Sequence, residues 1–335
     1  MKRFKVFSNK SYKTIFDLES GIEITTGING NPDPFCLELP SLLDIGIMGS
    51  CDRKCAFCYQ GHENKPNMKL IDFKLIIDQV KNNVNQVALG GRGDPNKHEA
   101  FKEILNYCRE NSIIPNYTTS GLNLTDEEIE LSKLCGAVAV SDYDQNYTFE
   151  AISRFIAAGI KTNIHKIFSK TTYNDCLQIV SGYNPWIIQV AKKGLKSKVD
   201  IRKINAVIFL LFKPQGAGKN IDLTPSSFQI QRFSELIYKS QAQCKVGMDS
   251  CLVNHSIKYV ELTPIQKMSV DTCEGARMSG YISADLKFMP CSFSNKNMAV
   301  QITGNNIKKL WDNGKPFKNF RKVLSKTPGS CPIEF

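Results

Sequence analysis

From Leu42 to about Ser250 the chain alternates short apolar runs with longer stretches in which apolar residues return every three or four positions. A run of five to seven apolar residues bounded by turn formers reads as a buried strand, and the longer period reads as a helix with one face covered. Strands are expected at Leu42–Met48, Asn85–Leu89, Ile114–Thr118, Ala137–Ser141, Thr162–Ile167, Val207–Phe212 and Lys245–Met248. Helices are expected between them: Met68–Asn83, Glu99–Asn111, Thr125–Leu134, Thr148–Ala158 and Pro225–Ser240. In the first, Leu70, Phe73, Ile76, Ile77 and Val80 share a face; in the third, Thr125 stands as a cap before Glu127 and Glu128. Six or seven strand–helix units in a row predict an α/β fold with a parallel sheet. Residues 14–26 differ, with two alternating runs around Ser20-Gly21 that predict a β-hairpin.

Composition adds limits. At 335 residues, with 42% apolar and 22% charged positions, the chain can bury a large core and hold about two domains, or one barrel with an extension. The longest apolar run, Ala206 to Phe212, is far too short to cross a bilayer, and Met1-Lys-Arg-Phe-Lys-Val6 lacks a signal peptide's apolar stretch. Twelve cysteines in such a chain argue for metal binding in a reducing compartment, so a cytoplasmic protein of an anaerobe is expected. The net charge of +11 can steer an anionic partner such as an acidic peptide, a phosphorylated small molecule or a nucleic acid. Its densest patches, Lys192–Lys198 and Lys308–Lys326, read most simply as solvated faces, and no nucleic-acid-binding pattern accompanies them.

The chemistry concentrates just after the first strand, in Ser50-Cys-Asp-Arg-Lys-Cys-Ala-Phe-Cys-Tyr59. Cys51, Cys55 and Cys58 can hold one soft metal centre. A four-iron cube normally takes four thiolates, so three leave one iron open to a small molecule. A structural zinc site wants a fourth ligand nearby and more often shows paired Cys-x-x-Cys knuckles. The spacing Cys-x3-Cys-x2-Cys, with aromatic Phe57 before the last cysteine, resembles the signature of the radical S-adenosylmethionine (radical SAM) superfamily. That resemblance implies a partial (β/α)6 TIM-like barrel over residues 41–250, after an N-terminal hairpin segment (1–40). It also implies a [4Fe-4S] cluster that binds S-adenosylmethionine and cleaves it to a 5′-deoxyadenosyl radical. Zinc, or three unrelated core thiols, are the rival readings.

Further positions take their meaning from the same likeness. Leu89-Gly-Gly-Arg-Gly-Asp-Pro95 resembles the family's Gly-Gly-Glu-type cradle, which contacts the cofactor's amino group. It implicates Gly90, Gly91, Gly93 and Asp94, with Arg92 standing where the acid usually does. Ser120 ends the third strand and Ser141 the fourth, in a region resembling the one that meets the ribose. Asn163 and His165 lie on the fifth, and Gly216 sits in a turn resembling one near the adenine. Each of these is also an ordinary turn former or helix cap. Asp249, His165 and Tyr143, near strand ends, are candidates to move protons or hydrogen atoms.

Beyond residue 250, Cys273 and Cys291 bracket a hairpin-like alternation, followed by a helical stretch and Cys331-Pro332. This resembles the SPASM/Twitch extension, which implies a small C-terminal unit (251–335) holding an auxiliary [4Fe-4S] cluster. Cys251 is the proposed fourth ligand, with Glu334 or a substrate atom as alternatives; scattered core thiols or zinc are the bland readings. Relatives with such extensions imply a peptide or protein substrate, modified at a C–H bond. They also imply a ferredoxin or flavodoxin as electron donor and a separate protein to recognise a leader. Dehydrogenation of a small-molecule alcohol is the alternative. RNA modification and a non-catalytic electron-transfer protein rank behind both.

Overall fold

The first three strands form a sheet of their own. In the computed structural model, which describes residues 3–182, 203–268, 270, 272–327 and 329–333, β1 (Phe4–Ser8), β2 (Tyr12–Asp17) and β3 (Glu23–Gly27) pair antiparallel. The expected hairpin is β2 with β3, Ile15 opposite Ile24, and its turn contains Gly21 at a φ of 78°, which favours glycine. β1 is an addition to that expectation. Its apolar side, Phe4 and Val6, stays exposed, so no burial sharpened its pattern.

From Leu42 the predicted units fold as strand, then helix. β4 (Leu42–Met48), β5 (Gln86–Gly91), β6 (Ile114–Thr119), β7 (Val138–Ser141), β8 (Thr162–Phe168), β9 (Ala206–Leu211) and β10 (Lys245–Met248) each pair in parallel with the next. The helices α1 (Leu70–Val80), α2 (Phe101–Glu110), α3 (Asp126–Ser132), α4 (Asn146–Ala157), α5 (Tyr173–Val180) and α6 (Ser227–Ile237) follow the first six strands. This is the expected α/β architecture of six strand–helix units. Thr125 caps α3 as read, accepting from the Glu128 amide at 3.2 Å while the Glu128 carboxylate accepts from the Thr125 amide at 2.7 Å. Leu43, Ile45 and Ile47 of β4 are fully buried in the core shared with the helices. Alternation puts Asp44, Gly46 and Met48 on the opposite face, inside the barrel.

The sheet does not close among the described residues. Its free flank on β4 is taken by the C-terminal segment. β11 (Ser279–Ile282) runs parallel to β4, with Tyr281 beside Asp44; β12 (Lys287–Met289) and β13 (Val300–Gln301) add antiparallel strands beyond it. Of the helices here, α7 (Ser250–Ser256) and α8 (Pro264–Met268) precede β11, and α9 (Ile307–Asn313) and α10 (Lys315–Lys326) follow β13. Trp311 anchors this segment. It is fully buried, its ring 5.5 Å from that of Phe317, and its indole N–H donates to the Leu37 carbonyl at 2.9 Å. No described helix is long and apolar enough to cross a membrane. Lys192–Lys198 and Glu334 lie outside the described residues.

Candidate active site

A cavity of about 470 Å³ opens at the C-terminal ends of the parallel strands, where the loop after β4 brings Cys51, Cys55 and Cys58 to its rim. Short polar contacts fix that loop. The Gly49 and Cys51 amides donate to the side chains of Asn67 (3.0 Å) and Asn64 (3.1 Å), and the Ala217 amide donates to the Cys58 carbonyl at 2.9 Å. The Arg92 guanidinium donates to the carbonyls of Gly61 at 2.5 Å and Gln60 at 2.9 Å. Arg92 is therefore spent on holding the cysteine loop. Asp94 lines the cavity beside it.

The glycines divide by role. A Cβ on Gly91, whose φ is 116°, would lie 2.2 Å from the Met48 carbonyl oxygen, and one on Gly93 would lie 2.4 Å from that of Ser50. Both sites demand glycine so that β5 and its turn can press on the chain leading into the cysteines. A Cβ on Gly90 would meet nothing within 4 Å, and Gly90 lines the cavity. It leaves a bare stretch of backbone that a ligand can approach. Gly216, expected near the adenine, is not in this cavity wall. A Cβ there would strike the Tyr59 and Cys58 carbonyl oxygens at 2.3 and 2.6 Å, so its turn braces the cysteine loop.

Aromatic and charged groups complete the wall. Phe57 packs against Tyr143 (5.6 Å), and the Arg53 guanidinium stands 4.9 Å over the Tyr143 ring and 3.8 Å from the Asp94 carboxylate. Ser120 is buried and outside the lining; its amide and hydroxyl donate to Asp94, which makes it a support for that carboxylate. Ser141 does line the cavity. Asn163 corrects the sequence reading. It is the second residue of β8, its amide oxygen accepts from Asn205 at 2.7 Å, and it is not in the lining. The strand carries it to the barrel floor, roughly 16 Å from the mouth at about 3.3 Å per residue.

The three candidate proton-handling residues all line the cavity. Burial pushes the Tyr143 phenol up to about 12 and holds His165 down to about 4, against the opposing pull of Asp249. Asp249 is committed: it pairs with Lys213 and caps α7 by accepting from the Leu252 amide at 2.8 Å. Asp44 was missed. Burial, with a further contribution from Glu274, pushes its carboxyl up to about 7, and it faces the cavity beside Tyr59 and Tyr281, whose phenols burial raises. A lone carboxylate in the apolar run Leu42-Leu-Asp-Ile-Gly-Ile-Met48 was the available signal. Gly46 makes room for the Tyr281 hydroxyl: a Cβ there would lie 2.6 Å from it.

A second set of thiols gathers behind this wall. Cys251 opens α7, Cys273 precedes β11, Cys291 follows β12 and Cys331 comes after α10. They come within electrostatic range of one another: Cys331 and Cys291 both act on Cys251, and Cys331 acts on Cys273 and Cys291. Burial pushes Cys273 up to about 11 and Cys291 up to about 12. Cys36 and Cys244 do not line the cavity, and Cys108 and Cys176 are buried in the core. No three His, Cys, Asp or Glu among the described residues are placed to hold a single metal ion. A four-iron cube takes each thiolate at a different iron, so its ligands stand farther apart than those of one ion. Three thiols at an open cavity and four gathered behind it fit two such cubes as donor sets.

No protein-family model matches the sequence, and no curated protein does. Solved structures do. SuiB of Streptococcus suis bound to S-adenosylmethionine superposes with a TM-score of 0.71 at 16% identity, over 99% of this chain and 92% of that one. SuiB bound to its precursor peptide SuiA gives 0.68 at 15% identity over 96% and 90%. The enzyme anSMEcpe with bound AdoMet and the Cp18Cys peptide gives 0.58 at 15% over 86% and 84%. The chain shares the fold of these structures. The likeness spans the barrel and the C-terminal strands alike.

Proposed function

We propose that this chain is a radical SAM enzyme acting on a peptide, with Cys51, Cys55 and Cys58 holding a [4Fe-4S] cluster and Cys251, Cys273, Cys291 and Cys331 an auxiliary one. The carrying observation is the arrangement of three thiols, with no fourth cysteine among the described lining residues, on a cavity that also takes in the bare Gly90 backbone, Arg53 and Asp94. When bound, the cluster and S-adenosylmethionine supply one-electron bond cleavage and hydrogen-atom abstraction. The chain's own residues bind and orient. Asp94, held by Ser120, would meet the cofactor's ammonium, and Arg53, beside it, would meet the carboxylate. Phe57 and Tyr143 wall the adjoining space, and His165, kept neutral, can accept a hydrogen bond from substrate. Peptides bound to SuiB and anSMEcpe, together with a net charge of +11, support a peptide substrate, an acidic one above all. A ferredoxin or flavodoxin would supply the electron, and a separate protein would present the leader.

The test is anaerobic reconstitution. About eight irons per chain are expected, falling to about four in Cys55→Ala, which should also lose 5′-deoxyadenosine formation with dithionite. Zinc in place of iron, or undiminished cleavage by Cys55→Ala, would overturn the assignment. With a peptide encoded by a neighbouring reading frame, mass spectrometry should show a change confined to that peptide. No change, alongside turnover of a small alcohol, would move the substrate class.

A further inference from the structure

We propose that Lys213 sets the reduction potential of the auxiliary centre. The inference rests on the reading that Cys251, Cys273, Cys291 and Cys331 hold a cluster. Lys213 follows β9 and is 5% exposed. Its ammonium donates to the Leu211 carbonyl at 2.7 Å, pairs with Asp249 and lies 4.6 Å from the centre of the Phe293 ring. Lys213, Asp249 and Phe293 all face the cavity. On its other side the same ammonium lies within electrostatic range of Cys251 and Cys331. The pair therefore stands in the partition between the radical cavity and the second set of thiols.

Position along the chain ties the pair to the ligands. Asp249 is the cap of α7, two residues before Cys251, and Phe293 follows Cys291 by two. A buried ion pair is weak evidence for stability, because desolvating both charges costs about as much as their attraction returns. An apolar pair of the same size would hold this wall as well. Charge placed here has an electrostatic effect instead. Four thiolates and an iron–sulfur core carry net negative charge, and reduction adds one more. A desolvated cation beside them, shielded from water on one face by Phe293, stabilises the reduced form and raises the potential. Asp249 opposes it in part.

The two charges should therefore act with opposite sign. Iron-loaded protein is titrated with reductant while the two clusters are followed by electron paramagnetic resonance. In Lys213→Met the auxiliary potential should move negative, in Asp249→Asn positive, and Lys213→Arg should restore the parent value. The potential of the Cys51–Cys58 cluster should hold still in all three. An auxiliary potential unmoved by Asp249→Asn, or moved in the same direction by both variants, overturns the proposal. Should Lys213→Met fail to fold, Asp249→Asn alone decides. Parent protein that loads only about four irons sinks the two-cluster reading itself, a result that iron analysis separates from an unmoved potential.

Discussion

Asp44 shows how one residue couples the cavity to stability. An ordinary aspartate ionises near 3.8, and burial in the barrel pushes this one up to about 7. Between those values the folded chain keeps a proton that the unfolded chain releases, so stability from this group falls as pH rises from about 4 to about 7. Asp44→Asn removes the penalty. Denaturant unfolding should find the variant more stable than the parent at pH 8, by at most about 4 kcal/mol, and no more stable near pH 3.5. Equal curves at both pH values would mean the carboxyl is solvated. Residue-scale chemistry was legible where the chain forces it. Cys51, Cys55 and Cys58 reach the cavity together, and Asp94, Ser141, His165, Tyr143 and Asp249 line it too. Ser120, Gly216 and Asn163 did not follow suit. Sequence shows which residue ends a strand, yet not whether its side chain turns to the cavity, to a neighbouring carboxylate or to an adjacent loop.

The strand–helix unit was the scale most open to reading, because a parallel strand is buried on both faces and its apolar run is nearly unbroken. β4 matches its expected bounds, whereas β1 had to be found from structure, since half of it faces solvent. The glycines that end β5 looked alike in sequence and differ in space. Gly91→Ala should lower stability by about 1–3 kcal/mol, through strain at positive φ and the clash with Met48. Gly90→Ala should change stability by under about 0.5 kcal/mol while weakening S-adenosylmethionine binding. Thermal melts and isothermal titration of the two variants check this directly. A Gly90→Ala protein that binds the cofactor like the parent would show that the bare backbone is not part of the cradle.

At the scale of the whole molecule, the C-terminal segment is welded to the barrel. Its hairpin was expected from the alternation between Cys273 and Cys291, but the parallel pairing of β11 with β4 was not, because strand order between distant segments leaves no local trace. Trp311 holds this junction. Trp311→Ala should cost about 3–5 kcal/mol through the cavity it leaves, and it leaves the Leu37 carbonyl with only the weak Cys36 thiol as donor. Iron should fall from about eight toward about four per chain as the second set of thiols loosens, with 5′-deoxyadenosine formation retained. Full iron loading in a destabilised variant would mean that Trp311 supports the fold alone.

The seam between β4 and β11 also governs how this polypeptide can be cut. A message ending before residue 279 would still encode the first cysteine loop, but Leu42–Ile45 would emerge with their outer row of amides and carbonyls bare. Such an edge adheres to its own kind. The shortened product should clump in the cell, so the barrel is not a portable module that can be borrowed without its tail.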